Sequence, residues 1–454
     1  IYEKILQKQS NHFDSLHRLG TICAQVKQYG VSLHYFDRAL QISKTNATVF
    51  NNRGIVLKAL KRLDDALMSY DKALHIKPDY VGAMYNRGNV LQELKRFDDA
   101  LMSYDEVLRV KPDYVEALYN RGNAFQEIRR FDDALKSYDE VLRIKPDHAD
   151  ATLNKSMLLI LIGNYSDGWK LYEARLQKED TKNNYPRYPK LAWRGQEDIS
   201  GKRILIQSEQ GLGDSIQFIR YLEKINLLGA EIFLEVPRTL ANLVKTIETP
   251  ITLIDKGSKL PDFDAYCPLL SLPYTFKTTA ETIPSAVPYL FADKQKVAGW
   301  NSRLGERTRK RIGLVWSGST EHKNDHNRSI PLEFFEDLLK LPIEWHSLQK
   351  EYRTEDKIFL DSHPEVIQHQ DELGDFMDTA ALIECMDLVI SVDTSIAHLA
   401  GALAKTTWIL LPFTPDFRWM LDRTDCPWYP TAKLLRQDDD RDWKNVIMEL
   451  SKKL

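Results

Sequence analysis

The sequence predicts an α-solenoid followed by an α/β half with parallel sheets, and three observations predict it. Asn-Arg-Gly recurs every 34 residues, at Asn52-Arg53-Gly54, Asn86-Arg87-Gly88 and Asn120-Arg121-Gly122. From Arg203 onward, short β-branched runs alternate with helical patterns, the order of a parallel sheet with crossover helices. Within that half, residues 388–392 read as a buried strand, 396–403 as a helix and 407–411 as a second buried strand.

Each repeat holds two helical patterns and ends at Lys-Pro-Asp, where Pro78, Pro112 and Pro146 stop the second helix. Tyr70, Tyr104 and Tyr138 keep the same step, and small residues such as Gly88 and Ala100 let paired helices approach closely. One step back aligns Gly20 with Gly54 and Phe36 with Tyr70, and residues 2–11 then match only a second helix. One step forward aligns Asn154 with Asn120, Tyr165 with Phe131 and Tyr172 with Tyr138. Here Gly122 has become Ser156 and the proline is lost, as in a cap or a bridge to another domain. The solenoid is thus expected over residues 1–179, half a repeat plus about five units. The chain starts inside a repeat and not with Met, which implies residues upstream.

Composition bounds the partners. The 454 residues carry a net charge of −3, so no global basic field points to nucleic acid or an anionic membrane. No apolar run reaches the length of a membrane span and no signal peptide is present, so a cytoplasmic protein is expected. Cys23, Cys267, Cys385 and Cys426 are far apart, show no metal-ligand spacing and read as reduced thiols.

Residues 180–202 are polar and proline-containing and read as a linker. A first α/β domain is expected over 203–292, a helix-bearing connection over 293–310 and a second α/β domain over 311–454. In the first, strand 204–207 leads through Gly211-Leu212-Gly213-Asp214 into an amphipathic helix, 214–227. Two glycines leave the backbone open to a ligand, and Asp214 is either an N-cap or a general base in a glycine-lined cleft. In the second, Asp393-Thr394-Ser395 sits at a strand-to-helix turn, where free N–H groups, two hydroxyls and His398 suit a phosphate. The plainer alternative is that Thr394 or Ser395 caps the helix and His398 packs under the sheet.

The loop 318–331 carries His322, Lys323, His326 and Arg328, cations suited to a diphosphate. His322 and His326 have no regular element to fix ligand geometry, so zinc is not expected. Asp262-Phe263-Asp264 mimics a metal-binding Asp-x-Asp, but its context favours a structural use.

The 34-residue unit resembles the tetratricopeptide repeat, whose Gly, Ala, Tyr and Pro fall at Gly88, Ala100, Tyr104 and Pro112. Gly211-Leu-Gly-Asp214, Arg328-Ser-Ile-Pro331 and Asp393-Thr-Ser-Ile-Ala-His398 resemble, in that order, motifs of heptosyltransferase-like inverting glycosyltransferases. Residues 200–454, including Trp316-Ser-Gly318, Ser347-Leu-Gln349 and Pro427-Trp-Tyr-Pro430, resemble the catalytic half of bacterial proteins that join such repeats to that domain, among them protein or flagellin O-glycosyltransferases. The resemblance implies a GT-B fold of two facing Rossmann-like domains, with the donor held mainly by the second. It implies that Asp214 is the catalytic base, that Arg328 replaces a phosphate-holding Lys, and that Asp393, Thr394 and His398 contact the diphosphate. Gly213, Lys323, Gln349 and Ser395 complete the expected donor-binding set. Ser395 stands where the family has Gly, and Arg at 328 adds bidentate phosphate binding. Loops 347–350, 375–379 and 413–418 are expected to choose base and sugar.

The row Asn52, Asn86, Asn120 and Asn154 resembles the peptide-backbone-binding Asn row of eukaryotic O-linked N-acetylglucosamine transferases. Asn is also common there for structural reasons, and both readings stay open. Tyr85, Asn89, Tyr119 and Asn123 are further candidates for the concave face. The expected activity is metal-independent, inverting transfer from a nucleotide-diphosphate sugar to a hydroxyl, on a protein or peptide held by the repeats. The alternatives are transfer to lipopolysaccharide or another surface glycan, and a non-catalytic scaffold whose α/β half senses nucleotide sugar.

Overall fold

The computed structural model describes residues 1–178, 188–209, 211–322 and 324–454. The chain forms two compact units, Ile1–Lys155 and Ser156–Leu454, whose boundary falls inside the helix Ala149–Leu161. No described helix is long and apolar enough to cross a membrane.

The first unit opens with a lone helix, Tyr2–Lys8, followed by the pairs Phe13–Gln25 with Tyr29–Ile42, Ala47–Ala59 with Leu63–Ile76, Val81–Glu93 with Phe97–Val110, and Val115–Glu127 with Phe131–Ile144. The recurring Asn-Arg-Gly explains how they stack. A Cβ on Gly54, Gly88 or Gly122 would lie 2.5–2.6 Å from a carbon of the Tyr70, Tyr104 or Tyr138 ring, so only glycine lets the paired helix seat that ring. Arg87 reaches back to Asp71 at 2.7 Å and forward to Ser103 at 2.6 Å, joining one unit to the next; Arg53 does the same with Asp37 and Ser69. The turn inside each pair repeats too: Lys27, Lys61, Lys95, Arg129 and Gly163 all have φ between 56° and 91°.

The second unit contains two wholly parallel sheets. The first runs β1 (Leu191–Ala192), β5 (Ala265–Pro268), β2 (Arg203–Gln207), β3 (Glu231–Val236), β4 (Thr252–Asp255). It begins earlier than expected: β1 and the buried Trp193 lie in the stretch read as linker, because the Trp193 N–H donates to the Tyr266 carbonyl of β5 at 2.9 Å. The second runs β11 (Ala432–Arg436), β10 (Thr407–Leu411), β9 (Leu388–Val392), β6 (Arg311–Val315), β7 (Glu344–Ser347), β8 (Val366–Gln368). Every residue of β6, β9 and β10 is buried, which is why these strands read as unbroken apolar runs.

The strand order reverses between β2 and β5 in one sheet and between β6 and β9 in the other. Open α/β sheets bind ligands outside the carboxyl ends of the strands at such points. Gly211–Asp214 follows β2, and Asp393–Ser395 follows β9.

The helix expected over 214–227 is broken. Leu212–Phe218 gives way to a 3₁₀ turn, Ile219–Tyr221, and then Leu222–Asn226. Arg220 Nε donates to the Gln217 carbonyl at 2.7 Å, competing for the acceptor that a continuous helix would give to Tyr221 N–H.

Candidate functional site

Within the second unit, the Leu212–Phe218 helix approaches the helix Ser395–Ala402 that follows β9. Glycine permits it: a Cβ on Gly213 would lie 2.8 Å from His398 Cδ2 and 3.3 Å from Ser395 Cα. The two turns singled out from sequence, 180 residues apart, therefore share one site.

Asp214 is in the first turn of its helix. Its Oδ1 accepts a hydrogen bond from Arg418 Nη2, and its Oδ2 lies 2.3 Å from where a Gly211 Cβ would stand, so Gly211 makes room for the carboxylate. Arg418 also donates through Nε to Gln217 Oε1 at 2.8 Å and through Nη1 to Asp416 Oδ1 at 2.7 Å.

The turn after β9 is ordered from both sides. Thr394 caps the helix, its Oγ1 accepting from Ile396 N at 3.3 Å and lying 3.2 Å from Ser391 Oγ, so the capping reading holds for this residue. Arg328 Nη1 donates to the Asp393 carbonyl at 2.9 Å, and its guanidinium lies flat on Gly318, where a Cβ would come within 2.7 Å of Cζ. Burial and the neighbouring Asp416 push the Asp393 carboxyl up to about 6, against the opposing pull of Arg328 and Arg418.

His398 is buried, its Nδ1 is 2.9 Å from Tyr429 OH, and its ring stacks on Trp419 with centroids 5.2 Å apart. Burial, then Arg418, Arg220 and Arg328, hold its pKa well below the usual histidine range. Its ring is therefore neutral near pH 7. Gln349 is committed elsewhere: its Oε1 accepts from Ser317 N at 3.4 Å and its Nε2 donates to Ser317 O at 3.1 Å, which fixes the strand end after β6. Lys323 lies outside the described residues. His326, expected in an irregular loop, sits in the short helix Asp325–Arg328, which Arg353 anchors through Asp325 and Ser329. Asp262 and Asp264 pair with Arg203, a structural use.

Sequence reasoning reached Asp416 and Arg418 only as members of the loop 413–418, with no role for either side chain, and missed Arg220. Arg220 is buried, donates to the Trp428 and Pro284 carbonyls and to Tyr289 OH, and lies 4.6 Å from the Tyr429 ring centroid. It explains why Pro427-Trp428-Tyr429-Pro430 stands out as a motif. No sequence signal marked it, because its neighbours at helical spacing include Gln217, Glu223 and Lys224.

In the first unit the Asn row bonds between repeats. Asn120 Nδ2 donates to Tyr85 OH at 3.1 Å and Asn89 Oδ1 at 2.8 Å; Asn154 Nδ2 donates likewise to Tyr119 and Asn123 at 3.0 and 2.9 Å. Asn86 Nδ2 donates to Asn51 Oδ1 at 3.1 Å, and Asn52 Nδ2 is 3.2 Å from His17 Nε2. Both amide hydrogens of Asn120 and of Asn154 are so engaged, which leaves their Oδ1 atoms as acceptors for a ligand.

Comparison with known proteins adds the following. Residues 47–80, and the overlapping stretches 85–149 and 119–183, match tetratricopeptide-repeat families. Protein FlbA of Caulobacter vibrioides is 26% identical over 298 residues, 58% of this chain and 48% of that protein; the chain thus spans about half the length of this curated relative. Among solved structures, YrrB, described as a TPR protein with an unusual peptide-binding site, is 20% identical and covers 39% of this chain and 92% of its own, with a TM-score of 0.35. MamA from Desulfovibrio magneticus RS-1 is 17% identical over 38% of this chain and 97% of its own, also with a TM-score of 0.35. The chain therefore carries tetratricopeptide repeats, which the family matches trace between residues 47 and 183.

Proposed function

We propose that the α/β half is an inverting, metal-independent glycosyltransferase of GT-B type, its two sheets being Rossmann-like domains, and that the repeats present a protein or peptide acceptor. One observation carries the reading: a carboxylate on the first sheet's carboxyl edge, Asp214, is joined through Arg418 to the loop after β10 and through Gly213 to the helix N-terminus after β9. A proton acceptor thereby faces a site suited to anions. In the reaction, Asp214 takes the acceptor's hydroxyl proton as its oxygen bonds to the anomeric carbon. The bond from that carbon to the phosphate breaks, and the nucleoside diphosphate leaves with the electron pair. The N–H groups at Thr394 and Ser395 and the Arg328 guanidinium stabilise its charge. The Oδ1 atoms of Asn120 and Asn154 suit the N–H groups of an extended peptide, whereas Asn52 Oδ1 already accepts from Asn51 Nδ2 at 3.3 Å.

Two measurements test this. Titration calorimetry of the full chain with UDP, GDP, ADP, CMP and dTDP is expected to show tight binding of one nucleotide, weakened in Arg328→Ala. With the matching nucleotide sugar, Asp214→Asn is expected to lose about two to four orders of magnitude in rate, ~2 to 5 kcal/mol of transition-state stabilisation. Transfer at an undiminished rate in Asp214→Asn would remove the base from this reading.

A further inference from the structure

Arg418 belongs to none of the motifs that pointed to the site, only to the loop 413–418, yet its guanidinium bonds residues on both sides of it. Its side chain is only 10% exposed, and Gln217, Asp416 and Asp214 take hydrogen bonds from Nε, Nη1 and Nη2. Gln217 and Asp214 lie on the helix after β2, whereas Asp416 lies in the loop after β10, so one guanidinium ties the edges of both sheets. Its charge also acts on Asp393 and His398 at the turn after β9. Trp419, the next residue, stacks on the His398 ring.

This places Arg418 between the group that takes a proton and the turn that takes phosphates. The Asp214 Oδ1 that would receive the acceptor's proton already accepts a hydrogen bond from Arg418. A guanidinium cannot lose its proton near neutral pH, so it responds to a new anion only by changing partners. A diphosphate offers more charge and a bidentate fit, and so competes for a guanidinium that bonds Asp214 through Nη2 alone.

Resting on the glycosyltransferase reading, we propose that Asp214 and the donor's diphosphate compete for Arg418, which is a second phosphate-gripping residue and a latch on the base. When Arg418 turns to the phosphates, Asp214 Oδ1 is free to accept the hydroxyl proton as the new bond to the anomeric carbon forms and the bond to phosphate breaks. The base is then freed only once the leaving group is in place, which puts donor binding ahead of proton transfer.

A double-mutant cycle on nucleotide binding tests the competition, using the full chain and the nucleoside diphosphate that binds. Asp214→Asn, which weakens the Arg418 partner, is expected to tighten the Kd by at least about fivefold, a typical coupling. Arg418→Gln is expected to weaken it, and in that background Asp214→Asn adds less than about twofold, because the coupling runs through Arg418. Thermal melts verify folding, and Arg418→Lys, which keeps the charge and loses the fork, serves as the second variant with an intermediate affinity. Equal tightening in both backgrounds means that Asp214 merely repels the anion, and it overturns the inference while leaving the glycosyltransferase reading intact. An Asp214→Asn protein that binds no tighter than wild type does the same. Failure of wild type and both single variants to bind any of the nucleotides overturns the reading and the inference together.

Discussion

Lys61 and Lys95 adopt, at φ 60° and 59°, the backbone conformation that Gly163 adopts at the same place in the last repeat. Each follows the C-cap of its helix, Leu60 or Leu94: Lys61 N donates to Lys58 O at 2.9 Å and Arg62 N to Leu57 O at 2.9 Å, the Schellman pairing that closes a helix in the left-handed region. A side chain there costs about 1–2 kcal/mol in the folded chain, partly offset by the extra freedom glycine gives the unfolded one. Lys61→Gly and Lys95→Gly are each expected to stabilise the protein by about 0.5–1 kcal/mol, measured by urea unfolding; a loss of stability would mean that the lysine side chains hold contacts outweighing the strain. The 34-residue period was legible because each residue of Asn-Arg-Gly has its own steric or hydrogen-bonding task. The conformation at Lys61 was not, because lysine carries no signal for the left-handed region; only Gly163 at the aligned position hinted at it.

Elements come next, and here the fully buried strands were the most readable: 388–392 and 407–411 are β9 and β10 as expected from their apolar runs. What fixes the connecting turns is polar and distant in sequence, so periodicity is silent about it. Arg175 grips Glu209, 34 residues on, with Nε to Oε2 at 2.8 Å and Nη2 to Oε1 at 2.7 Å, and Glu209 Oε1 also accepts from Leu270 N at 2.9 Å. Both side chains are buried, and Glu209 lies at the switch between β2 and β5, two residues before Gly211. Breaking one partner leaves the other charge buried alone, so Arg175→Met is expected to destabilise by about 3–5 kcal/mol, and adding Glu209→Gln should recover part of that. Equal unfolding midpoints for wild type and Arg175→Met would show that the pair is not a tether. The parallel pair β7 and β8 holds a second polar device. His346 Nδ1 lies 3.0 Å from His369 Nε2, and burial, followed by His369 itself, pushes the His346 pKa down to about 4. The unfolded chain takes up a proton near pH 6.5 and the folded chain near pH 4, so stability is retained above 6.5 and falls as the pH drops between those values. The loss is of the order of 3 kcal/mol by pH 4, and His346→Gln should flatten the melting-temperature profile across that window. A profile of unchanged slope would move the acid sensitivity to other groups.

For the molecule as a whole, the candidate site is assembled from residues far apart in sequence, 204 positions in the Arg418–Asp214 pair and 208 in the Arg220–Trp428 pair. Local patterns located both turns because each follows a strand and opens a helix; Arg418 was legible only as the end of the loop 413–418, because its partners Asp214 and Gln217 are 204 and 201 positions away. The repeats obey a different logic. Their hydrogen bonds run to neighbouring units, from Asn120 to Asn89 and from Arg87 to Asp71, so stability is close to a sum of nearest-neighbour terms and terminal units can be removed without unravelling the rest. If the repeats hold a protein acceptor, they raise its effective concentration at the α/β half and take no part in gripping the nucleotide. Deleting residues 1–80, a cut just before the helix Val81–Glu93, is then expected to leave the nucleoside-diphosphate Kd within about twofold. The same deletion should lower kcat/KM for a protein acceptor by about tenfold or more while sparing a short peptide that spans fewer units. The two substrates separate the acceptor roles of the halves. A protein acceptor modified equally well by the shortened chain would assign acceptor choice to the α/β half, and equal losses for protein and peptide would point to damage in the remaining repeats.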